Sequence, residues 1–327
     1  MFMIRTYRRK ILLAAVALIF VLAGCGAKTA TTGDGVNMGR KTDANVDVMG
    51  VRYNLYSNGY AAIVQVLNPY CVLSETITYQ EEEYTVAAIE PGSVSGIGIF
   101  NSVSVKEAPE TLKLPDTLTM LPGYALADCS SSVIILPEKV NFIGGSLFAG
   151  CVNIETVEFP ETVEQICANG LFRGCSGLKS VTLPEDAEYL LDTGYMFSGC
   201  AGLKEVTIPG GCKYLGECTF SNCTVLSDIT LKEGITTVYR NAFHGLPALE
   251  TVVFPESVTE IRDMAFFDCF NLKDVWLPDG LADVPAHLFK QSFGQYDADV
   301  SGITIHVKES MVEYVQNLYP DAKVVAK

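Results

Sequence analysis

Residues that could perform acid–base or nucleophilic chemistry are scattered along this chain of 327 residues. The motifs GxSxG, HExxH and GxxxxGKS/T are absent, and His244, His287 and His306 fall at three different positions of the repeat described below. Carboxylates are so abundant that neighbouring pairs of them single out no acid–base site. The sequence therefore predicts a protein that is not an enzyme and needs no cofactor, with an unrecognised carboxylate site as the alternative.

Some cysteines and aspartates are spaced in ways that resemble metal-binding motifs. No CxxC occurs, and the series Cys212, Cys218 and Cys223 has no accompanying histidine, so we expect no zinc site. The run from Asp297 to Gly302 is similar to the start of a calcium loop, but Lys308 stands where that loop needs a bidentate glutamate. We expect this run to be a solvated acidic loop and predict no bound metal.

The N-terminus carries the features of an export signal. Basic residues between positions 5 and 10 precede an apolar run, Ile11 to Val21, which is too short to span a bilayer comfortably. The following LAGC, ending at Cys25, resembles the lipobox of bacterial lipoprotein precursors. That resemblance implies a signal peptide over residues 1–24, a lipid on Cys25, a flexible tether over residues 25–47, and attachment to the outer face of a bacterial membrane or cell surface. The alternative is a buried cysteine in an ordinary anchor.

The charge of the chain excludes one class of partner. Its 38 acidic and 23 basic side chains give a formal net charge of −15, and removal of the signal would take away four basic side chains and no acidic one. Nucleic acid is therefore not an expected partner, because phosphate binding needs clustered Lys and Arg. The acidity serves either solubility alone or attraction to a basic partner.

A repeat of about 23 residues runs through most of the chain. Three residue types keep this period. The prolines are Pro115, Pro137, Pro160, Pro184, Pro209, Pro255 and Pro278, with Lys232 in the skipped slot; the phenylalanines are Phe148, Phe172, Phe197, Phe220, Phe243, Phe266 and Phe289; the cysteines are Cys129, Cys151, Cys175, Cys200, Cys223 and Cys269, with Leu246 in the skipped slot.

Each unit begins with a short alternating segment. In the unit from Leu249 to Asn271, Val252 and Phe254 point one way and Thr251 and Val253 the other, which predicts a strand ended by proline. A turn or short helix around Phe266 would then close the coil. Because one unit cannot bury its own apolar face, the units must stack, giving a ladder of Phe rings and a ladder of Cys. We expect these cysteines to be reduced core residues, with disulfides between adjacent coils as the alternative.

The units resemble the BspA-like class of bacterial surface leucine-rich repeats, LxxVxIPxxVxxIgxxAFxxCxx, from Val51 to Lys327. The resemblance implies a solenoid of about eight units with a parallel sheet on its concave side. It divides the chain into an N-terminal β-hairpin cap with a first half-repeat (48–110), repeats (111–302) and a strand–helix–strand cap (303–327). Members are mostly secreted or surface-attached interaction proteins.

The middle of the predicted concave face is plain and rich in threonine, and its C-terminal end differs. There the sole tryptophan, Trp276, is expected beside His306, Val253 and Asp274. Aromatic residues on a polar surface are favoured anchors for recognition. We therefore predict a patch for an unknown host or neighbouring-cell protein, or for a glycan; alternatively, Trp276 packs against the loop over 291–301 as part of the end cap.

Overall fold

The computed structural model describes the backbone of residues 30–31 and residues 35–68, 71–90, 99, 109–185, 190–191, 194–289 and 300–327. The predicted signal peptide, Cys25 and the aspartates of the calcium-like loop lie outside these ranges. Within the described residues, no helix combines the length and the apolar character needed to cross a membrane.

The N-terminal part is a sheet rather than a tether followed by a single hairpin. Its strands are β1 (Ala30–Thr31), β2 (Asn37–Gly39), β3 (Lys41–Val48), β4 (Val51–Tyr56), β5 (Tyr60–Val66), β6 (Thr76–Tyr79) and β7 (Glu82–Ile89). Strands β3 to β7 form one five-stranded sheet in the order β3-β4-β5-β7-β6, in which only β5 and β7 pair in parallel.

The prediction of a flexible tether over residues 25–47 is wrong for its last part. Strand β3 pairs antiparallel with β4, and Arg52 joins Asp47 through an ion pair with Nε 2.8 Å from Oδ1. Backbone pairing satisfies the polar groups of this hydrophilic segment, so a composition typical of a linker does not prevent strand formation. The ordered body of the protein therefore includes Lys41–Val48.

The repeats form stacked coils with two rows of short parallel strands. In chain order the strands are β8 (Thr111–Lys113), β9 (Met120–Leu121), β10 (Val133–Ile135), β11 (Phe142–Ile143), β12 (Gln165–Cys167), β13 (Leu190–Leu191), β14 (Glu205–Ile208), β15 (Tyr214–Leu215), β16 (Asp228–Leu231), β17 (Thr237–Val238), β18 (Thr251–Val253), β19 (Glu260–Ile261) and β20 (Asp274–Trp276). The first row contains β8, β10, β14, β16, β18 and β20, and the second contains β9, β11, β12, β13, β15, β17 and β19.

The third side of each coil is a turn, not a helix, throughout the described residues between 109 and 289. Backbone bonds join successive turns: Phe197 N–H donates to Thr219 O at 2.8 Å, and Phe220 N–H to Ala242 O at 2.9 Å. Each turn has two residues with positive φ, four positions apart, a conformation that glycine adopts at the least cost. These residues are Tyr124 and Asp128, Ser146 and Gly150, Gly170 and Gly174, Tyr195 and Gly199, Cys218 and Asn222, Asn241 and Gly245, and Met264 and Asp268.

The predicted Phe ladder forms the centre of the core. Phe172 and Phe197 stack with centroids 5.5 Å apart at 6°, and Phe197 and Phe220 at 5.7 Å and 7°. One apolar cluster of buried residues extends from Val46 in the N-terminal sheet to Ala322 near the C-terminus. The N-terminal sheet, the coils and the C-terminal segment therefore share one hydrophobic core.

The predicted Cys ladder is also present, and the ten cysteines in the described ranges are free. Each ladder thiol from Cys151 onward donates to a carbonyl oxygen of the preceding coil, as with Cys200 Sγ and Phe172 O at 3.1 Å or Cys223 Sγ and Phe197 O at 3.0 Å. Burial raises the pKa of Cys175, Cys223 and Cys269 to about 12. The neutral thiol is thus the form that the core accommodates.

The chain ends with β21 (Thr304–Val307), a 3-10 turn (Glu309–Met311), helix α1 (Val312–Leu318) and β22 (Lys323–Ala326). Both strands extend the first row, in the order β18-β20-β21-β22. The buried Tyr319 hydroxyl accepts from Leu288 N–H at 3.2 Å and donates to the carbonyl of Pro285. Its burial raises the pKa of Tyr319. This hydroxyl fixes the end segment to the last coil.

Candidate functional site

The first row places the four predicted binding residues together at its C-terminal end. Strand register aligns Val253 with Trp276 and Trp276 with His306, while Asp274 lies two residues before Trp276 on the same strand. The residues between them along the strands, Val252, Val275 and Ile305, are at most 1% exposed. Because side chains alternate across a strand, the four predicted residues project to the outer surface. We call them the Trp276 face.

The two rings of the Trp276 face are stacked. The centroids of Trp276 and His306 are 3.7 Å apart and their planes differ by 2°. His306 Nε2 lies 2.8 Å from Asp274 Oδ1. An ionised carboxylate only accepts hydrogen bonds, so Nε2 donates and the imidazole is held in a fixed orientation. The stack is therefore positioned by a polar contact as well as by ring packing.

The four side chains of the Trp276 face differ in how much of their surface is exposed to solvent. Val253 is 57% exposed, whereas the His306 side chain is only 14% exposed. Trp276 is half-buried, and the Asp274 side chain is 40% exposed. The alternative packing of Trp276 against the loop over 291–301 falls largely outside the described residues. The contact that the structure does describe is with His306 of β21, a strand of the C-terminal cap.

The rest of the first-row surface is mainly polar. Thr207 and Thr230 are aligned in one column, and Glu205 and Asp228 in the column beside it. At the N-terminal end, Val133 and Ile135 are 46% and 44% exposed. Neither residue belongs to the predicted binding patch. They provide an apolar comparison site on the same surface.

A groove on the second row was missed by the sequence analysis. It has a volume of about 690 Å³ and is lined by residues 217, 239–240, 259–263, 282–283 and 285–287. The Arg262 guanidinium lies 4.5 Å from the Tyr239 ring centroid and its Nε is 3.0 Å from Glu260 Oε1. Strands of two residues show no alternation, so sequence periodicity gave no signal for this groove.

Ser221, His244 and Asp268 form a second arrangement that the sequence analysis missed. Ser221 Oγ is 2.9 Å from His244 Nδ1, and His244 Nε2 is 3.6 Å from Asp268 Oδ2. The residue types are those of a hydrolase triad, but Ser221 is only 5% exposed and the His244 ring stacks on Phe267 at 5.1 Å. A nucleophile must reach a bound carbonyl, so this geometry indicates a structural contact between turns.

The part of the chain that the structure describes contains no cluster of side chains suited to bind a metal ion. No group of three or more His, Cys, Asp or Glu side chains there is placed to hold an ion. Cys212 and Cys223 are buried, and Cys218 is half-buried. Burial raises the pKa of Cys218 and of Cys223, which disfavours the thiolate that a metal would need.

These observations define a leucine-rich-repeat solenoid protein. The profile of the family described as BspA type Leucine rich repeat region matches residues 100–194 and 193–317, with six copies of the repeat. The matched residues make up more than half of the chain, so the protein belongs to the BspA-type leucine-rich-repeat family. This finding confirms the resemblance on which the fold prediction was based.

Several solved structures are similar to the chain. A leucine-rich repeat protein from Bacteroides ovatus is 17% identical, with 86% of this chain and 100% of that chain covered and a TM-score of 0.33. A leucine rich cell surface protein from Faecalibacterium prausnitzii is 18% identical, with 83% of this chain and 72% of that chain covered and a TM-score of 0.44. The pneumococcal vaccine antigen PcpA is 14% identical, with 88% of this chain and 100% of that chain covered and a TM-score of 0.38. A comparison with curated proteins gives no significant match.

Proposed function

We propose that the protein is a non-enzymatic, cell-surface lipoprotein that binds another protein through the Trp276 face. The observation that carries the proposal is the aromatic stack of Trp276 and His306 beside the exposed Val253 on a mainly polar sheet. Aromatic residues in a rigid, partly desolvated setting contribute a large share of the free energy of protein association. The stacked coils supply the rigidity, because each side chain is held by the backbone of a paired strand.

Attachment at the cell surface rests on the N-terminal sequence and on the family. The resemblance to a lipobox gives Cys25 as the lipidated residue, and acyl chains hold a protein at a membrane without a spanning helix. The partner is then a protein of a host or of a neighbouring cell. Metabolic labelling with a clickable palmitate analogue should label the wild-type chain and not Cys25→Ala, and labelling of both would refute this anchor.

Partner binding is tested with a matched pair of substitutions on the same sheet. Trp276→Ala should reduce recovery of cross-linked surface partners at least about tenfold, whereas Ile135→Ala should leave it unchanged, since Ile135 is an exposed apolar residue at the other end of the row. Circular dichroism must show that both variants keep the fold. Equal recovery by Trp276→Ala and the wild type would contradict the proposal.

Glycan binding is the second candidate, and the groove on the second row is the observation that favours it. Carboxylates and guanidinium groups line an open concavity there and offer both donors and acceptors to sugar hydroxyls. Arg262 covers one face of Tyr239, so less of this ring is left for a sugar to stack on. A glycan array would support this candidate only if a hit is lost in Glu260→Gln and kept in Trp276→Ala.

A further inference from the structure

Among the described residues, the Trp276 ring has a ring partner on one face only, and the opposite face is called the open face below. His306 covers one side of the indole with a centroid separation of 3.7 Å. The opposite side looks along the row toward Val253, which is the next residue in the same register. Val253 has a short side chain and is itself 57% exposed, so it forms a floor rather than a cover. The result is a slot with an aromatic wall.

The far wall of the slot comes from the preceding coil. Strand β16 precedes β18 in the first row and contacts it, and Thr230 holds the position in β16 that Val253 holds in β18. Paired strands such as β18 and β20 are about 4.8 Å apart, whereas β16 contacts β18 from a separate sheet, so Thr230 and Trp276 are separated by roughly two such spacings. A flat group of one or two atomic layers fits between the Thr230 wall and the indole, over Val253.

Two carboxylates lie at the side of the slot. Thr251 lies two residues before Val253 on β18. It is aligned with Asp274 on β20, and Asp228 holds the corresponding position on β16. Asp274 is held by His306 at 2.8 Å, and Asp228 accepts a hydrogen bond from Ser227 Oγ at 2.6 Å. Each carboxylate has about four acceptor positions, so one existing bond leaves room for a further donor.

The lysine next to Asp274 in the sequence is engaged by a carboxylate of its own. Lys273, which precedes Asp274, forms an ion pair with Glu250 in which Nζ is 2.8 Å from Oε2. The whole chain carries a formal charge of −15. The slot therefore combines an aromatic face with a negative field, and this combination favours a flat cation over an uncharged ring.

We propose that the partner inserts an arginine side chain into this slot, an inference that rests on the proposed function of the Trp276 face. The guanidinium stacks on the open face of Trp276 and donates hydrogen bonds to Asp228 and Asp274. Arginine fits better than lysine, because its planar group stacks on aromatic rings, is weakly hydrated and donates in two directions at once. The recognised element is an exposed arginine in a basic surface segment of a protein.

The chain offers a direct optical probe of the slot, since Trp276 is its only tryptophan. The full-length protein in a nonionic detergent would be titrated with a capped Gly-Ser-Arg-Ser-Gly peptide while Trp276 fluorescence is recorded. The same peptide with citrulline in place of arginine has nearly the same shape and no charge. We expect a saturable change with the arginine peptide and an apparent affinity at least about tenfold weaker with the citrulline peptide.

Matched variants separate the slot from general electrostatics. Asp228→Asn and Asp274→Asn each remove one charge with little change of shape and should weaken the arginine peptide about tenfold. Glu158 is exposed and lies several coils away, two residues before Pro160 as Trp276 lies two before Pro278, so Glu158→Gln removes the same charge and should have no effect. Equal binding of both peptides, or equal weakening by Glu158→Gln and Asp228→Asn, would overturn the inference.

The same variants distinguish this inference from the proposed function. If recovery of cross-linked partners requires Trp276 but is unchanged in Asp228→Asn, the face binds protein through a side chain other than arginine, and the inference alone fails. If recovery is unchanged in Trp276→Ala as well, both fail. Loss in Trp276→Ala, Asp228→Asn and Asp274→Asn, with Glu158→Gln unaffected, supports both.

Discussion

Removal of one ring from the Phe ladder is the most direct perturbation of the fold. Phe220 is fully buried and has a ring on each side: it stacks on Phe197 and is tilted by 32° against Phe243, each at a centroid distance of 5.7 Å. Phe220→Ala therefore deletes a ring that belongs to two coil interfaces at once. Because every coil contacts only its neighbours, the chain has no distant contacts that could compensate for the loss.

The magnitude follows from the burial and the two stacks. Truncation of a buried Phe to Ala costs about 3–5 kcal/mol, and each aromatic pair adds about 0.5–1.5 kcal/mol beyond the buried area. A residue that is buried on all sides and loses two pairs belongs at the upper end of this range, so we expect a loss of about 5 kcal/mol in the free energy of unfolding. Relaxation of the neighbouring rings into the cavity would lower the figure.

Urea unfolding followed by circular dichroism measures this loss, with Phe270→Ala as the control. Phe270 is 80% exposed, so its removal should change the free energy of unfolding by no more than about 0.5 kcal/mol. The Phe220→Ala variant should also show a broader or split transition, since the coils on either side become less strongly coupled. A loss below about 1.5 kcal/mol for Phe220→Ala, well under the range for a buried Phe, would refute the ladder as the main core element.

Three further predictions concern the thiols, the turns and the end cap. Burial raises the pKa of Cys223 to about 12, above an unfolded value of about 8.5, so its contribution to stability should be constant below pH 8.5 and fall at higher pH by about 1.4 kcal/mol per unit. Melting temperatures from pH 8 to 11 should drop less in Cys223→Ala, and an identical slope would contradict this assignment. Gly174→Ala should cost about 1 kcal/mol of stability through its φ of +77° alone, because the nearest atom to an added Cβ is 3.7 Å away. Gly280→Ala has the same 3.7 Å clearance and no positive φ, so it should be neutral. Equal losses of stability in thermal unfolding would exclude backbone strain. Tyr319→Phe should cost about 1–3 kcal/mol, because it leaves two backbone groups unpaired in the core, and a neutral result in urea unfolding would exclude that pairing as a stabilising contact.

The sequence predicted the parts of the fold that depend on the period of the repeat. A residue such as Phe220 recurs at a fixed position, and stacking of parallel strands converts that spacing into contact with Phe197 and Phe243. The same reasoning correctly aligned Trp276 with His306, although the run between them is longer than one unit. The parallel arrangement of the two rings, however, depends on the hydrogen bond from His306 to Asp274, which no spacing reveals.

Segments without the repeat were predicted less well. Lys41–Val48 has a hydrophilic composition that is typical of a linker, and its strand is determined by pairing with Val51–Tyr56, a tertiary contact. The groove of the second row lies where strands of two residues leave no alternation to detect. Its shape depends on side-chain packing such as that of Arg262 on Tyr239. Composition and periodicity carry no information about such contacts.

Site-specific photo-crosslinking tests the central claim most directly, because it records which surface the partner touches on intact cells. The photoreactive residue p-benzoylphenylalanine would replace Thr207 in one variant and Ile135 in another, both exposed outward positions of the first row; Thr207 is aligned with Thr230 and lies outside the slot. The account predicts a discrete protein adduct from position 207 that Asp228→Asn diminishes, and no such adduct from position 135. The same adduct from both positions, or from position 135 alone, would contradict it.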